Sequence, residues 1–168
     1  MKHNNKWKPQ EIIVNEKIAD DPVTLKIFKK CPEVPIRYAS SGSPGDIVKA
    51  STILSSSNSG MLNKILAGKK VMYIAPAAND TVDEFTMPDD RMICPHFTRL
   101  KLGSNSCPFS CDWCYLKLTY RAQFPYITVR SEYPKIMKQI RKRTSKAKSP
   151  VLLNSGELAD SMALEHLT

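Results

Sequence analysis

The sequence predicts an α/β fold, and three stretches predict it. Residues 97–102 alternate Thr98, Leu100 and Leu102 with Phe97, Arg99 and Lys101, a period-two pattern that reads as a strand. Tyr133, Ile136, Met137 and Ile140 fall on one face of a helix, and Glu132 adds negative charge at its start. Val151, Leu152 and Leu153 form a short apolar run that reads as a buried strand. Strand, helix and strand in that order compose a βαβ unit with a right-handed crossover. Its two strands deliver their C-terminal loops, 107–114 and 155–157, to the same sheet edge.

Taken from the start, residues 1–20 read as peripheral, polar apart from one apolar cluster at Ile12, Ile13 and Val14. Val23, Ile27 and Phe28 recur at helical spacing. Asp21 is placed to cap that helix, Pro22 to be its first residue, and Pro32 and Pro35 to end it. Residues 40–46 are a loop by composition. The serines at 51 and 55–59 read as an exposed loop. Met61, Leu62, Ile65 and Leu66 then give a short amphipathic helix, with Gly68 as its C-terminal cap. Residues 70–74 form a strand closed by Pro76.

Asp80, Asp83, Glu84, Asp89 and Asp90 follow with no base among them. Their spacing is not that of a cation-binding loop, so they are assigned to a solvated loop. That loop marks the expected boundary between an N-terminal extension, 1–95, and a second unit, 96–168. Met61, Met72, Met137 and Met162 read as core filler. Cys31 and Cys94 read as free thiols, and His96 and His166 as structural residues.

Composition narrows the function classes. At 168 residues and 18.9 kDa, with 42% hydrophobic residues, the chain is long and apolar enough for a core. No apolar run is long enough to span a bilayer, and the first residues lack the apolar core of a secretory signal. A cytoplasmic location is therefore expected. Five cysteines, an odd number, argue against a secreted disulfide framework and for metal or free thiols. Lys135, Lys138, Arg141, Lys142, Arg143, Lys146 and Lys148 account for seven of the nine excess positive charges. The patch at 135–148 reads first as a solvated helix face, and alternatively as a contact for nucleic-acid phosphates.

The chemistry concentrates in Cys107-Pro-Phe-Ser-Cys111-Asp-Trp-Cys114-Tyr115. Thiolates packed this densely invite oxidation and stray metal capture, which is tolerable where they hold a metal themselves. Three thiolates do not complete a tetrahedral structural zinc site. Cys94 and His96 are candidate fourth ligands for a zinc-binding, nucleic-acid-associated module, although the strand between would carry them to its far end. Three ligands and one open position suit a metal that must bind a substrate.

The Cys-x3-Cys-x2-Cys spacing resembles the signature of the radical S-adenosylmethionine superfamily. That resemblance implies a four-iron four-sulfur cluster on Cys107, Cys111 and Cys114, with the fourth iron left for S-adenosylmethionine. It also implies an adenine contact at Trp113 and methionine contacts at Gly156 and Glu157, where Ser155-Gly156-Glu157 is similar to a Gly-Gly-Glu segment. A flavodoxin- or ferredoxin-type electron donor is implied with it.

Within the superfamily the chain most resembles spore photoproduct lyases. The residues that carry this run from Cys107 to Leu116, through Pro125-Tyr126-Ile127, to Asp160 and Glu165-His166-Leu167-Thr168, with a looser match around Gly68-Lys69-Lys70. Tyr115 matches the tyrosine of the lyases' hydrogen-transfer path. Their hydrogen-donating cysteine falls at Glu157, and no cysteine follows Cys114. The resemblance therefore implies a lyase-like enzyme with altered chemistry, with thymine-lesion reversal proper as the alternative.

The superfamily's barrel needs about six βα units, and only 54 residues follow Cys114. The expected architecture is the N-terminal part of a partial (β/α) barrel preceded by a small α+β extension. By itself such a piece is expected to be inactive.

Overall fold

The computed structural model describes residues 6–57, 60–85, 96–103, 107–109, 111–112, 114, 124–155 and 162–168. Among them twelve helices and strands run in the order β1 (Glu11–Asn15), α1 (Pro22–Lys30), β2 (Ile36–Ala39), α2 (Pro44–Ala50), α3 (Thr52–Ser56), α4 (Met61–Gly68), β3 (Val71–Ala75), β4 (Val82–Glu84), β5 (Thr98–Leu100), β6 (Ile127–Arg130), α5 (Tyr133–Thr144) and β7 (Leu153–Asn154), with a single 3-10 turn at Glu16–Ile18.

Residues 11–15 are central to the fold, not peripheral. β1 lies between β2 and β3 in a parallel sheet of order β2-β1-β3-β6. A strand covered on both faces reads as an unbroken apolar run, which is why Ile12-Ile13-Val14 shows no alternation. Ile12 and Val14 pack with Ile27, Met72, Ile74, Ile127 and Val129 on one face, while Ile13 packs with Ile47, Val71, Tyr73 and Tyr126 on the other. Ala163, Leu164 and Leu167 join the first of these clusters, so the end of the described chain packs onto its beginning. Lys30 Nζ donates to the His166 carbonyl at 2.8 Å, and His166 Nε2 lies 2.6 Å from the Trp7 carbonyl oxygen.

The expected N-terminal helix is present with its expected cap. Asp21 accepts from the Val23 N–H at 2.9 Å, and Pro22 occupies the first turn. Part of the expected loop sequence is helical instead: Ser43 caps α2, which begins at Pro44, buried Ser51 caps α3, and Ser55 and Ser56 close α3. In α4 only Ile65 of the expected apolar face is buried, while Met61, Leu62 and Leu66 are exposed. Of the four methionines expected as core filler, Met72 alone is buried. Gly68 is the last helical residue rather than a left-handed cap, since Lys69 behind it is right-handed helical.

The second sheet has order β4-β5-β7, with β4 antiparallel and β7 parallel to β5. The βαβ reading holds in part: β5 and β7 pair in parallel at Thr98↔Leu153 and Arg99↔Asn154, but β6 of the other sheet precedes α5 between them, and β7 is only Leu153–Asn154, with Leu152 and Leu153 exposed rather than buried. Ile136 of α5 packs with Ala77 and Val82, flanked by Leu100, Leu102 and Ile140. The acidic stretch is not simply a solvated loop. Val82–Glu84 is strand β4, and Asp83 lies opposite Arg99 with a bidentate ion pair, Nε–Oδ1 2.8 Å and Nη2–Oδ2 2.6 Å. Lys101 bonds both Asp80 at 3.0 Å and Asp83 at 2.9 Å.

Strand β6, which local pattern did not reveal, pairs with β3, so each sheet draws strands from both sides of residue 95. The two sheets are stitched where Arg130 N donates to the Leu102 carbonyl at 2.9 Å. The extension is thus a wound parallel sheet rather than a small α+β unit, and the described strands form two sheets.

Candidate metal centre

β5 ends at Leu100 and the chain runs through Gly103 toward Cys107; β7 ends at Asn154 and runs on through Ser155. Because the two strands are parallel and in register at Arg99↔Asn154, their outgoing loops leave the same sheet edge. That edge, at strand C-termini, is where parallel α/β folds place their chemistry.

Cys107, Cys111 and Cys114 form no disulfide among the described residues; Cys111 is exposed and the other two half-buried. Cys114 N donates to the Cys111 carbonyl at 3.2 Å, closing a turn inside the motif. Pro108 is buried and Phe109 half exposed. Three cysteines without a disulfide on one short loop have the donor chemistry of an iron–sulfur or zinc site. Among the described residues no group of three or more His, Cys, Asp or Glu side chains is gathered to hold a metal ion. The fit is therefore one of donor type and loop position. Trp113, Tyr115, Gly156 and Glu157 lie outside the described residues, as do Cys94 and Asp160.

Local sequence gave no sign of a buried cation beside this loop. Lys69, between α4 and β3, is only 7% exposed, and its Nζ donates to the carbonyl of Phe109, midway between Cys107 and Cys111. Within Gly68-Lys69-Lys70 nothing distinguishes Lys69 from its exposed neighbour Lys70; only packing does. Cys31 by contrast is structural: burial pushes its thiol pKa up, although Lys8 and Lys30 oppose this.

The opposite end of β5 and β7 holds a cavity of about 660 Å³, lined in part by His96, Phe97, Glu84, Lys142, Arg143 and Lys146. His96 is exposed there, on the far side of β5 from the cysteines, so it is not brought to them. Of the basic residues of α5, Lys135, Lys138, Arg141 and Lys142 are exposed, and Arg143 lies 3.7 Å from Glu84. No described helix is long and apolar enough to cross a membrane.

No family model matches the chain, and no curated protein matches it. Solved structures do. Spore photoproduct lyase complexed with dinucleoside spore photoproduct matches with a TM-score of 0.73 at 17% identity, over 97% of this chain and 44% of that one. A double mutant of the same enzyme with bound AdoMet and dinucleoside spore photoproduct matches with a TM-score of 0.69, at the same identity and coverage. The chain therefore has the fold of part of spore photoproduct lyase, in line with the resemblance of its cysteine loop, and spans 44% of the length of the lyase chains it matches.

Proposed function

We propose that this chain is part of a radical S-adenosylmethionine iron–sulfur enzyme related to spore photoproduct lyase. The observation that carries the reading is the conjunction of a lyase-like fold with a Cys-x3-Cys-x2-Cys motif, none of it in a disulfide, on the loop leaving β5. Cys107, Cys111 and Cys114 would hold a four-iron four-sulfur cluster. When bound, such a cluster supplies the electron that cleaves S-adenosylmethionine to a 5′-deoxyadenosyl radical.

The chain's own residues then have distinct tasks. Trp113 would pack on the adenine, and Gly156 and Glu157 would hold the methionine end, the carboxylate accepting from its amino group. Parallel pairing of β5 with β7 supports this division, because it sends both loops to one edge. Glu157 stands where the lyases carry a hydrogen-donating thiol, and a carboxylate does not donate a hydrogen atom readily. The product radical must then be quenched by another group, with Tyr115 the candidate in this chain, so the reaction differs from lesion reversal. A nucleic-acid substrate is favoured by the dinucleoside bound to the matched enzyme. A flavodoxin- or ferredoxin-type protein would deliver the electron in the cytoplasm.

Anaerobic reconstitution with iron and sulfide tests this directly. The expected result is a brown protein with close to four irons per chain, the cluster's own count, which loses both colour and iron when the three cysteines become alanine. A colourless protein holding one zinc would replace this reading with the zinc-module alternative.

A further inference from the structure

Glu11 and Lys69 are the charged residues buried among those described. Glu11 is accounted for by its bonds to Ser51, Thr52 and Arg37. The Lys69 ammonium bonds the Phe109 carbonyl of the cysteine loop. Burying an ammonium costs several kcal/mol unless it is partnered, and this bond ties a partner of the buried charge to that loop.

The stem of Lys69 is held on several sides. Its N–H donates to Ile65 O at 3.1 Å, and its carbonyl accepts from Trp7 Nε1 at 3.1 Å. The Lys70 carbonyl accepts from Gln10 N at 2.7 Å and Glu11 N at 3.3 Å, tying the turn to the head of β1. Behind it Gly68 packs against Pro125 so closely that no side chain fits. The ammonium thus extends from a fixed platform. Phe109 is two residues from both Cys107 and Cys111, which puts its α-carbon within about 7 Å of theirs by chain geometry alone. Because the Lys69 side chain is buried, salt screens its charge less than that of a surface lysine.

We propose that Lys69 is a positioning residue for the cysteine loop. It pins the loop through the Phe109 carbonyl, and it sets positive charge beside the three thiolates, raising the reduction potential of a thiolate-bound cluster. The second half rests on the cluster proposed above; the first does not.

The test uses Lys69→Met, with Lys69→Arg as the conservative rescue. In metal-free protein, hydrogen–deuterium exchange of the peptide covering 107–114 is expected to rise about tenfold in Lys69→Met, the loss of one charge-assisted hydrogen bond, and to return toward wild type in Lys69→Arg. Amides of β1 and β3 report whether the variant is folded, and Lys69→Gln replaces it if it is not. In reconstituted protein the midpoint potential is expected to fall in Lys69→Met and to be restored in Lys69→Arg. Unchanged exchange in the loop overturns the anchoring role. A potential equal to that of wild type overturns the electrostatic role. Failure of wild-type protein to take up iron removes the proposed cluster and the electrostatic role with it, but leaves the exchange result, and the anchoring role it tests, intact.

Discussion

A β-carbon on Gly68 would lie 1.9 Å from the carbonyl oxygen of Pro125. The last turn of α4 therefore meets the entry to β6 backbone to backbone, with no room for a side chain. This contact joins the helix before β3 to the strand that pairs with β3, and it seats the turn carrying Lys69.

Gly68→Ala should accordingly destabilise the protein by about 1–3 kcal/mol, the usual cost of overpacking against atoms that cannot yield. Urea unfolding checks it. An unchanged midpoint would mean that α4 and residue 125 separate freely. Gly45→Ala, where nothing lies within 4 Å of the added carbon, is the control and should be neutral or slightly stabilising.

Glu11 anchors α3 to the central strand. Its carboxylate accepts from the Thr52 N–H at 3.0 Å, Thr52 Oγ1 at 2.7 Å, the Ser51 hydroxyl and Arg37 Nε at 2.9 Å. Glu11→Ala should cost about 2–3 kcal/mol, since bonds to a charged group are lost and the Thr52 N–H at the start of α3 loses its acceptor.

The same carboxylate should make stability pH-dependent. Burial raises its pKa, but the bonds from Ser51, Thr52 and Ile53 outweigh this and leave it below the ordinary value. A depressed folded-state pKa means the contribution is complete above the normal carboxylate range and is lost as pH falls through the depressed value. Wild type should lose stability on acidification more steeply than Glu11→Gln, measured by unfolding midpoints at a series of acidic pH values.

Asp83 on β4 pairs with Arg99 and Lys101 of the β5 segment, at side-chain exposures of 22% and 26%. Burial raises the Asp83 pKa, and the two cations more than reverse this. Asp83→Asn should cost about 1 kcal/mol at low salt and less at high salt, because partly exposed pairs are screened. An equal cost at both salt concentrations would assign the effect to packing of Arg99 over the Phe85 ring instead.

Cys111 is exposed, so Cys111→Ala should leave the stability of metal-free protein within about 0.5 kcal/mol of wild type. Its iron content after reconstitution should fall sharply. Parallel thermal melts and iron assays separate the two effects.

Part of this molecule was legible in the sequence because the responsible forces act over a few residues. Asp21 and Pro22 announce α1 through capping geometry, and alternating residues announce β5, each without reference to the rest of the chain. The βαβ order of β5, α5 and β7 likewise dictated that the cysteine loop and Ser155 share an edge. Tertiary structure alone decided what depends on distant partners. Ile12-Ile13-Val14 became the centre of a sheet because β2 and β3 cover its flanks and helices its faces. Gly68 is needed for the approach of Pro125 rather than for a left-handed turn, and Lys69 rather than Lys70 is buried against the cysteine loop. Burial is a property of the assembled fold, and a lysine or an apolar triplet carries no local mark of which neighbours will close over it.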